Sequence, residues 1–325
     1  MSGTAAAEKA APGRPYLRHL AIRVATGIVV VWGAATLTFI AVHVMPGNPA
    51  YAIVGGANAA PTAAVIAEVN KEYGFTQPVL VQYLHYLGQL LHGDLGSSYQ
   101  LQQPVTEVIG QQVGATIQLA IAASVIAVLT ALVVALATAK RRRWVRSTSS
   151  GAELVFASMP SFWLGLLLLT VFSYRLRWFP AIGNQGFASL VLPSVTIALP
   201  IAAVLAQVLR NSLEDTLEQP FITTARARGL GEAGVRLGHA LRHSLLPLLT
   251  LSGYIIGGLF GGAVITESLF SRQGLGRVLL TAVSDKDMPV VMGIVLLAAV
   301  VYVVVNIAVD LLYPVVDPRL KESAL

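Results

Sequence analysis

Six long runs of apolar residues alternate with polar stretches along the chain. The runs occupy residues 24–45, 115–139, 154–174, 190–209, 245–266 and 288–309. At about 1.5 Å per residue, a helix over each run would be long enough to cross a hydrocarbon layer of roughly 30 Å. The pattern therefore predicts an all-α integral membrane protein with six transmembrane helices.

Proline and glycine interrupt this pattern at definite places. Met45-Pro-Gly-Asn-Pro-Ala50 ends the first run, Pro160 is expected to kink the third, and Pro193 and Pro200 break the fourth. Residues 1–16 are small and polar, and are predicted to form a flexible tail. The first run has 22 uncharged residues, which is longer than the core of a signal peptide, so it is interpreted as a span.

A long segment, residues 46–114, separates the first two runs. Leu80, Leu84, Leu87 and Leu91 recur within it at helical spacing. Two interpretations of this predicted helix stay open. It covers the ends of the spans, or it forms part of a docking surface for a solute-binding protein.

Composition and charge agree with a membrane protein and set its topology. Hydrophobic residues make up 55% of the chain, charged residues 12%, and the mean hydropathy is +0.70; there is no cysteine. The net charge of +6 comes from basic residues beside the apolar runs, which argues against nucleic-acid binding. The segment before the first run, 140–153, 210–244 and the C-terminal tail hold 16 of the 22 Lys and Arg residues, so both termini are predicted to be cytoplasmic.

The longest polar passage of the C-terminal half is residues 221–250. Two helical pieces are predicted in it, with a break at Gly229-Leu-Gly231. Beyond the break, a polar stripe and an opposite apolar stripe have helical period; they consist of Glu232, Arg236, His239 and His243, and of Ala233, Leu237, Ala240 and Leu241. Such a segment is expected to lie along a membrane face and to present its polar side to water.

Two strings in this passage resemble the cytoplasmic loop of ABC importer permeases of the dipeptide/oligopeptide/nickel family. They are Thr224-Ala-Arg-Ala-Arg-Gly229-Leu230 and His239-Ala-Leu-Arg-His-Ser-Leu-Leu-Pro247. The general importer pattern, Glu-Ala-Ala-x-x-x-Gly, would fall on Thr223, Thr224, Ala225 and Gly229, so the acidic residue is absent, as is usual in the peptide branch. The resemblance implies an ATPase-coupling loop formed by Thr223, Thr224, Ala225, Arg226, Ala227, Arg228, Gly229 and Leu230.

Further strings extend the resemblance to residues 15–320. Residues 45–50 are similar to the end of the first span in B-type subunits, Gln82-Tyr-Leu to Ser97 is similar to the family's external segment, and 311–319 is similar to its closing string. Residues 266–276 resemble the string where the family's chain turns back into the membrane on the outer side, with Gln273 in place of a proline. The resemblance thereby implies an external gate region containing Glu267, Phe270, Gly274 and Gly276.

Small residues repeat along the fifth run. Gly253, Gly257 and Gly261, together with Gly258 and Gly262, form overlapping small-xxx-small pairs, which let helix backbones approach closely in lipid. They are interpreted either as packing positions inside one subunit or as a subunit interface that lines the pathway.

Few polar residues lie within the runs: Gln118, Gln207, Asn306 and, at the inner end of the last, Asp310. Gln118 and Asn306 are expected to make hydrogen bonds between helices. The lack of ionisable groups near the midplane disfavours a secondary carrier driven by protons or sodium. No intramembrane enzyme is indicated either, because no nucleophile–base pair or metal cluster is evident within the runs.

The sequence offers no site for a nucleotide or a metal. No lysine follows a glycine, so a phosphate-binding Walker loop cannot be written. His239 and His243 are four residues apart but have no third ligand, which favours a solvated stripe. No catalytic, cofactor or metal site is therefore expected in this chain.

The resemblance implies a permease of the type I ABC importer fold in the inner (cytoplasmic) membrane. Its partners would be a C-type permease, two ATPase domains that bind ATP and Mg, and an extracytoplasmic solute-binding protein that delivers peptides; nickel chelates and other small solutes stay open as alternatives. The expected parts are the tail 1–16, the first span with the external segment 17–114, a five-span core 115–313 with the coupling loop 210–244, and the tail 314–325.

Overall fold

A computed structural model describes residues 14–55, 61–184 and 186–316. In these ranges all regular structure is helical, apart from one isolated bridge between Ser97 and Pro104. Four helices contain a stretch long and apolar enough to cross a membrane: α1 (Arg14–Val44), α5 (Val105–Thr138), α8 (Ala188–Leu217) and α14 (Met288–Val316). The predicted all-α membrane fold is confirmed, and to within one residue these four helices cover the first, second, fourth and sixth apolar runs.

The third apolar run does not form the single helix predicted over 154–174. Helix α6 (Arg143–Ser158) is followed by α7 (Ser161–Leu168), and the chain bends by 104° between them. Pro160 causes the bend, because the residue before a proline is pushed towards extended backbone, and Met159 has φ −79° and ψ 127°. Beyond α7 the helix widens into π-helical turns over Leu169–Arg175.

The fifth apolar run is also divided. Helices α11 (Leu241–Gly257) and α12 (Leu259–Leu269) meet at Gly258, and each is shorter than a typical span. By length and composition, the described residues provide four spanning helices, or five if α6 and α7 together form one span. The count of six therefore stays a prediction.

The segment between α1 and α5 contains three short helices: α2 (Pro49–Ile53), α3 (Ala63–Glu72) and α4 (Val79–Leu91). Helix α4 confirms the predicted element, but of the leucine stripe only Leu87 packs, since Leu91 is 88% exposed and Leu80 and Leu84 are exposed too. Its tyrosines pack instead. Tyr83 shares a hydrogen bond of 2.7 Å with Thr36 of α1, and the ring of Tyr86 stacks on Phe39 at 5.7 Å.

Helices α5 and α8 form the centre of the molecule. Every fourth residue along α5, from Leu119 through Ala123, Ala127 and Ala131 to Ala135, is completely buried. The alanines at 127, 131 and 135 share apolar clusters with Ala198, Ala202 and Ala206 on α8, and such small side chains let the two helix backbones approach closely.

Polar side chains at or within the spans make contacts both between helices and within one helix. Arg23 of α1 forms an ion pair of 3.1 Å with Asp310 of α14. Asn306, predicted to bond to another helix, instead donates to the carbonyl of Tyr302 one turn earlier in α14, at 2.8 Å. That prediction is wrong for Asn306, because an amide four residues beyond a carbonyl reaches it without a partner helix.

Helix α1 begins at Arg14, so residues 14–16 of the predicted N-terminal tail are helical. The rest of that tail, and the C-terminal tail from residue 317, lie outside the described residues. Helix α14 includes the first three residues of the tail predicted over 314–325.

Candidate functional site

Helix α9 (Pro220–Ala227) carries most of the predicted coupling residues. Pro220 stands in its first turn, where a missing amide costs no helical hydrogen bond. Ile222 and Ala225 are buried in the same apolar cluster as Leu213 and Leu217 of α8. The helix is therefore fixed by one face to the end of α8.

The opposite face of α9 is free. Seven of the eight predicted coupling residues are exposed: Thr223, Thr224, Arg226, Ala227, Arg228, Gly229 and Leu230. Ala225 is the exception, since it is only 5% exposed and packs inward. Within the described residues, Arg228 forms no ion pair. The exposed surface of α9 and the residues after it therefore consists mainly of small side chains and arginines.

Gly229 ends α9 because of its backbone conformation. Its φ is +83°, a region that side-chain-bearing residues rarely adopt. Its amide donates to the carbonyl of Arg226 at 2.9 Å. A Cβ placed on it would meet no heavy atom within 4 Å. Positive φ, rather than close approach of another surface, is therefore what requires glycine here.

A salt bridge spans the break at Gly229. Arg226 donates from Nε to Oε1 of Glu232 at 2.9 Å and from a terminal nitrogen to Oε2 at 3.4 Å. The hydrogen bond from Arg226 lowers the pKa of the Glu232 carboxyl. The two helical pieces predicted around the break are confirmed, and this exposed bridge links them.

The second piece differs from its predicted faces. A short α10 (Glu232–Gly234) leads into π-helical turns over Val235–Ala240 and then into α11. In a π-helix, residues five apart share a face, and the buried pair is Val235 and Ala240. Leu237, expected on the apolar stripe, is 57% exposed. Glu232, His239 and His243 are exposed and Ala240 is buried, as predicted, whereas Ala233, Leu237 and Arg236 depart from the predicted stripes because those assumed an α-helical period throughout.

Arg236 joins this piece to the end of α5. One of its terminal nitrogens donates to the carbonyls of Leu136 at 3.2 Å and Ala139 at 3.0 Å. A cation at a helix C-terminus satisfies carbonyls that have no partner in the helix and interacts favourably with the helix dipole. The sequence placed Arg236 on a solvated stripe, whereas its side chain is largely buried.

Helix α6 is attached to the end of α8 through ion pairs that were not predicted from the sequence. Arg210 of α8 and Glu153 of α6 are both buried and form a two-pronged pair, with one distance of 2.7 Å. Arg146 and Glu214 pair at 3.0 Å. An acidic residue every fourth position at the end of α8, at 214 and 218, opposite the run of basic residues at 140–146, was the available signal.

The opposite end of α5 holds the predicted gate residues. Glu267 of α12 is fully buried, and its carboxylate accepts hydrogen bonds from the Thr116 hydroxyl at 2.7 Å and the Gly276 amide at 2.7 Å. The amide of Arg277 adds a third, at 3.3 Å. The carboxylate thus caps the N-terminus of α13 (Leu275–Ser284).

The two glycines of this region make space for the carboxylate and for α13. A Cβ on Gly274 would lie 2.2 Å from the carboxyl carbon of Glu267. A Cβ on Gly276 would lie 2.5 Å from the backbone Cα of Val264. Phe270 is buried nearby, against Leu169 and Leu192. The four predicted gate residues therefore lie together, and Thr116 is the member that the sequence analysis missed.

A second buried carboxylate fixes the other end of α13. Asp287 accepts a hydrogen bond from the Ser98 hydroxyl and others from the amides of Tyr99 at 3.1 Å and Gln100 at 3.3 Å. Burial, and secondarily the charge of Asp287, raises the pKa of the Tyr99 hydroxyl. Lys286 donates to the carbonyl of Pro46 at 2.6 Å. The segment between α1 and α5 is therefore anchored to the turn between α13 and α14.

The glycines of α11 and α12 divide between two environments. A Cβ on Gly253 would lie 2.8 Å from Val309, and one on Gly257 would lie 2.5 Å from the ring of Tyr302, both on α14. Gly258 and Gly262 line a groove of about 450 Å³, and Gly261 has no heavy atom within 4 Å of its Cβ position. The first pair packs within the chain, and the others face open space.

Two protein-family models together match almost the whole chain. Residues 127–322 match the model described as binding-protein-dependent transport system inner membrane component. Residues 16–120 match the model of the corresponding N-terminal region. The first match includes α9 and α13, and the second ends within α5.

Two curated relatives are similar over most of their length. The glutathione transport system permease protein GsiC of Salmonella choleraesuis (strain SC-B67) is 36% identical over 288 residues, which are 88% of this chain and 93% of the relative. A putative peptide transport system permease protein of Brucella abortus (strain 2308) is 37% identical over 308 residues, 92% of this chain and 97% of the relative.

The similarity in fold extends to a solved structure. It is the MetNI methionine ABC transporter in an inward-facing conformation, with a TM-score of 0.50 and 17% identity, over 68% of this chain and 97% of that one. At this identity the likeness concerns the fold alone. It agrees with a type I importer permease architecture.

Proposed function

This chain belongs to the binding-protein-dependent transport system inner membrane components, and from that membership we propose that it forms half of the translocation pathway of a peptide importer. It is the permease subunit of an ABC importer. The peptide substrate is supported by relatives that are named as glutathione and peptide permeases. The other half would be a C-type permease, since the string at 45–50 resembles the end of the first span in B-type subunits.

The exposed face of α9 carries the coupling assignment. Two features support this assignment. The exposed face is cationic and made of small residues, and the other face fixes α9 in place because Ile222 and Ala225 pack into the cluster shared by α5, α8 and α11. The groove of an ATPase subunit would receive Thr223, Thr224, Ala227 and Arg228. ATP and Mg would be bound by two ATPase domains, and their closure would move α9 together with the ends of α5 and α8.

The proposed orientation places α9 in the cytoplasm and α13 outside. It is supported by the excess of lysine and arginine near α9 and by the position of the two sites at opposite ends of α5. Both termini would then be cytoplasmic and the membrane would be the inner one. An extracytoplasmic binding protein would deliver substrate to the surface formed by the external segment and α13.

Reconstitution of the complete complex in proteoliposomes tests this function. Labelled short peptides should accumulate only when the binding protein, both permeases, the ATPases and ATP are present, and this chain alone should hydrolyse no ATP. A nickel chelate and a sugar are tested in the same assay, with the same binding protein, as alternative substrates. Accumulation of peptide without ATPases, or ATP hydrolysis by the purified chain, would contradict the proposal.

A further inference from the structure

A polar groove of about 370 Å³ lies between α13 and the external segment. One wall is a stripe of α13, formed by Arg277, Thr281 and Asp285 at i, i+4 and i+8. The other side includes Gln100 and Gln112. This groove differs from the one at Gly258 and Gly262, which is lined mainly by apolar side chains.

Neither charge of the stripe is neutralised by a partner within the described residues. Arg277 is exposed and forms no ion pair within the described residues; its guanidinium makes one hydrogen bond, to the carbonyl of Ser271 at 3.3 Å. Asp285 is also exposed, and in the same ranges its carboxylate accepts no hydrogen bond. By contrast, the neighbouring Glu267 and Asp287 are buried and fully occupied. A free cation and a free anion therefore face one cavity.

We propose that this groove binds a short zwitterionic peptide, with its terminal carboxylate on Arg277 and its terminal amine on Asp285. This inference rests on the proposed function and names the part of the pathway entrance that recognises the substrate. The amide groups of Gln112 and Gln273, which make no hydrogen bonds within the described residues, would meet the peptide bonds between the termini.

The spacing of the charges selects a peptide length. Arg277 and Asp285 are eight positions apart, so their Cα atoms are separated by about 12 Å along the helix axis. An extended chain advances about 3.3 Å per residue, so tri- and tetrapeptides match the span. An arginine fork suits a carboxylate geometrically, and a carboxylate suits an ammonium group.

The test measures binding to the complete permease–ATPase complex in nanodiscs, with the binding protein left out. The probes are trialanine, N-acetyl-trialanine and trialanine amide. Wild-type complex should prefer trialanine to both blocked forms. Arg277→Gln should weaken trialanine about tenfold and abolish its advantage over the amide, while Asp285→Asn should abolish its advantage over the acetylated form. Arg175→Gln, at an exposed arginine outside the groove, should bind like wild type.

Several outcomes would overturn the inference. One is trialanine binding that is absent, or that is unchanged in Arg277→Gln and Asp285→Asn. Another is equal weakening of free and blocked peptides, which would indicate general damage to the site. A third is unchanged peptide binding together with a reduced affinity for the binding protein, measured in a separate titration of the same variants, which would make the groove a docking surface. ATP-dependent peptide uptake by the wild-type complex is measured in parallel, so failure here is distinguishable from failure of the proposed function.

Discussion

The Thr116 hydroxyl donates to the Glu267 carboxylate at 2.7 Å and accepts from the Leu275 amide at 2.8 Å. One side chain of α5 therefore holds both the carboxylate that caps α13 and the first residue of α13. All of these groups are buried, where a lost hydrogen bond is not replaced by water.

Thr116→Val is expected to lower the unfolding free energy by about 1.5–3 kcal/mol, because it keeps the shape of the side chain and removes both bonds. Thr116→Ser retains the hydroxyl and serves as the control. Thermal or denaturant unfolding in detergent measures the difference. Equal stability of the Val and Ser variants would show that the Thr116–Glu267 contact contributes little.

Gly229→Val should leave the spans assembled but disconnect ATP hydrolysis from uptake. Valine at a φ of +83° carries strain of about 1–3 kcal/mol, and relief of that strain would shift the exposed face of α9. Gly229→Asn is the matched control, since asparagine tolerates positive φ. Both variants are measured in proteoliposomes for uptake and for stimulated ATPase activity. Coupled uptake by assembled Gly229→Val at the wild-type level would refute the coupling assignment.

Arg228→Glu is expected to weaken ATPase association, with a larger effect at low salt. Exposed charges are screened beyond roughly 10 Å at 0.1 M salt, so the difference should shrink as salt is added. Arg226→Glu should also weaken association, but through loss of its bridge to Glu232. The double variant Arg226→Glu with Glu232→Arg restores the bridge and should recover part of the loss. Co-purification across a salt series distinguishes these cases, and a salt-independent Arg228→Glu effect would argue against charge complementarity.

Gly257→Ala and Gly261→Ala compare a glycine that packs against α14 with one that has no neighbouring side chain among the described residues. A methyl group at 257 would lie 2.5 Å from the ring of Tyr302, and overpacking of this kind costs about 1–3 kcal/mol. The same change at 261 meets nothing within 4 Å. Thermal stability of the isolated chain should therefore fall only for Gly257→Ala. A fall for Gly261→Ala in the assembled complex alone would place that position at the subunit interface.

Reporter fusions test the proposed orientation. Fusions at Arg143 and Arg236 should report the cytoplasm, and fusions at Gln100 and Asn184 the outside, because the lysine and arginine excess lies near the first pair. Phosphatase and fluorescent-protein reporters give opposite signals at each site. A cytoplasmic signal at Gln100 would reverse the topology and remove α13 from the substrate entrance.

The sequence alone determined the membrane fold, the family and the break at Gly229. Apolar runs of spanning length are set by the thickness of the bilayer, and the positive φ needed between two helices is visible as glycine. The string from Glu267 to Gly276 also identified residues that the fold brings together. These features are local, so a linear reading was sufficient to find them.

Only the tertiary structure decided which faces and partners these elements use. Pro160 turned one predicted span into two helices at 104°, and π-helical turns placed Val235 and Ala240, rather than Leu237, in the core. Thr116 and Glu267 are 151 positions apart, and Ser98 and Asp287 are 189 apart. No periodicity connects such residues, because their pairing depends on how α5, α12 and α13 pack. Burial then requires each carboxylate to find donors, wherever in the chain the packing supplies them.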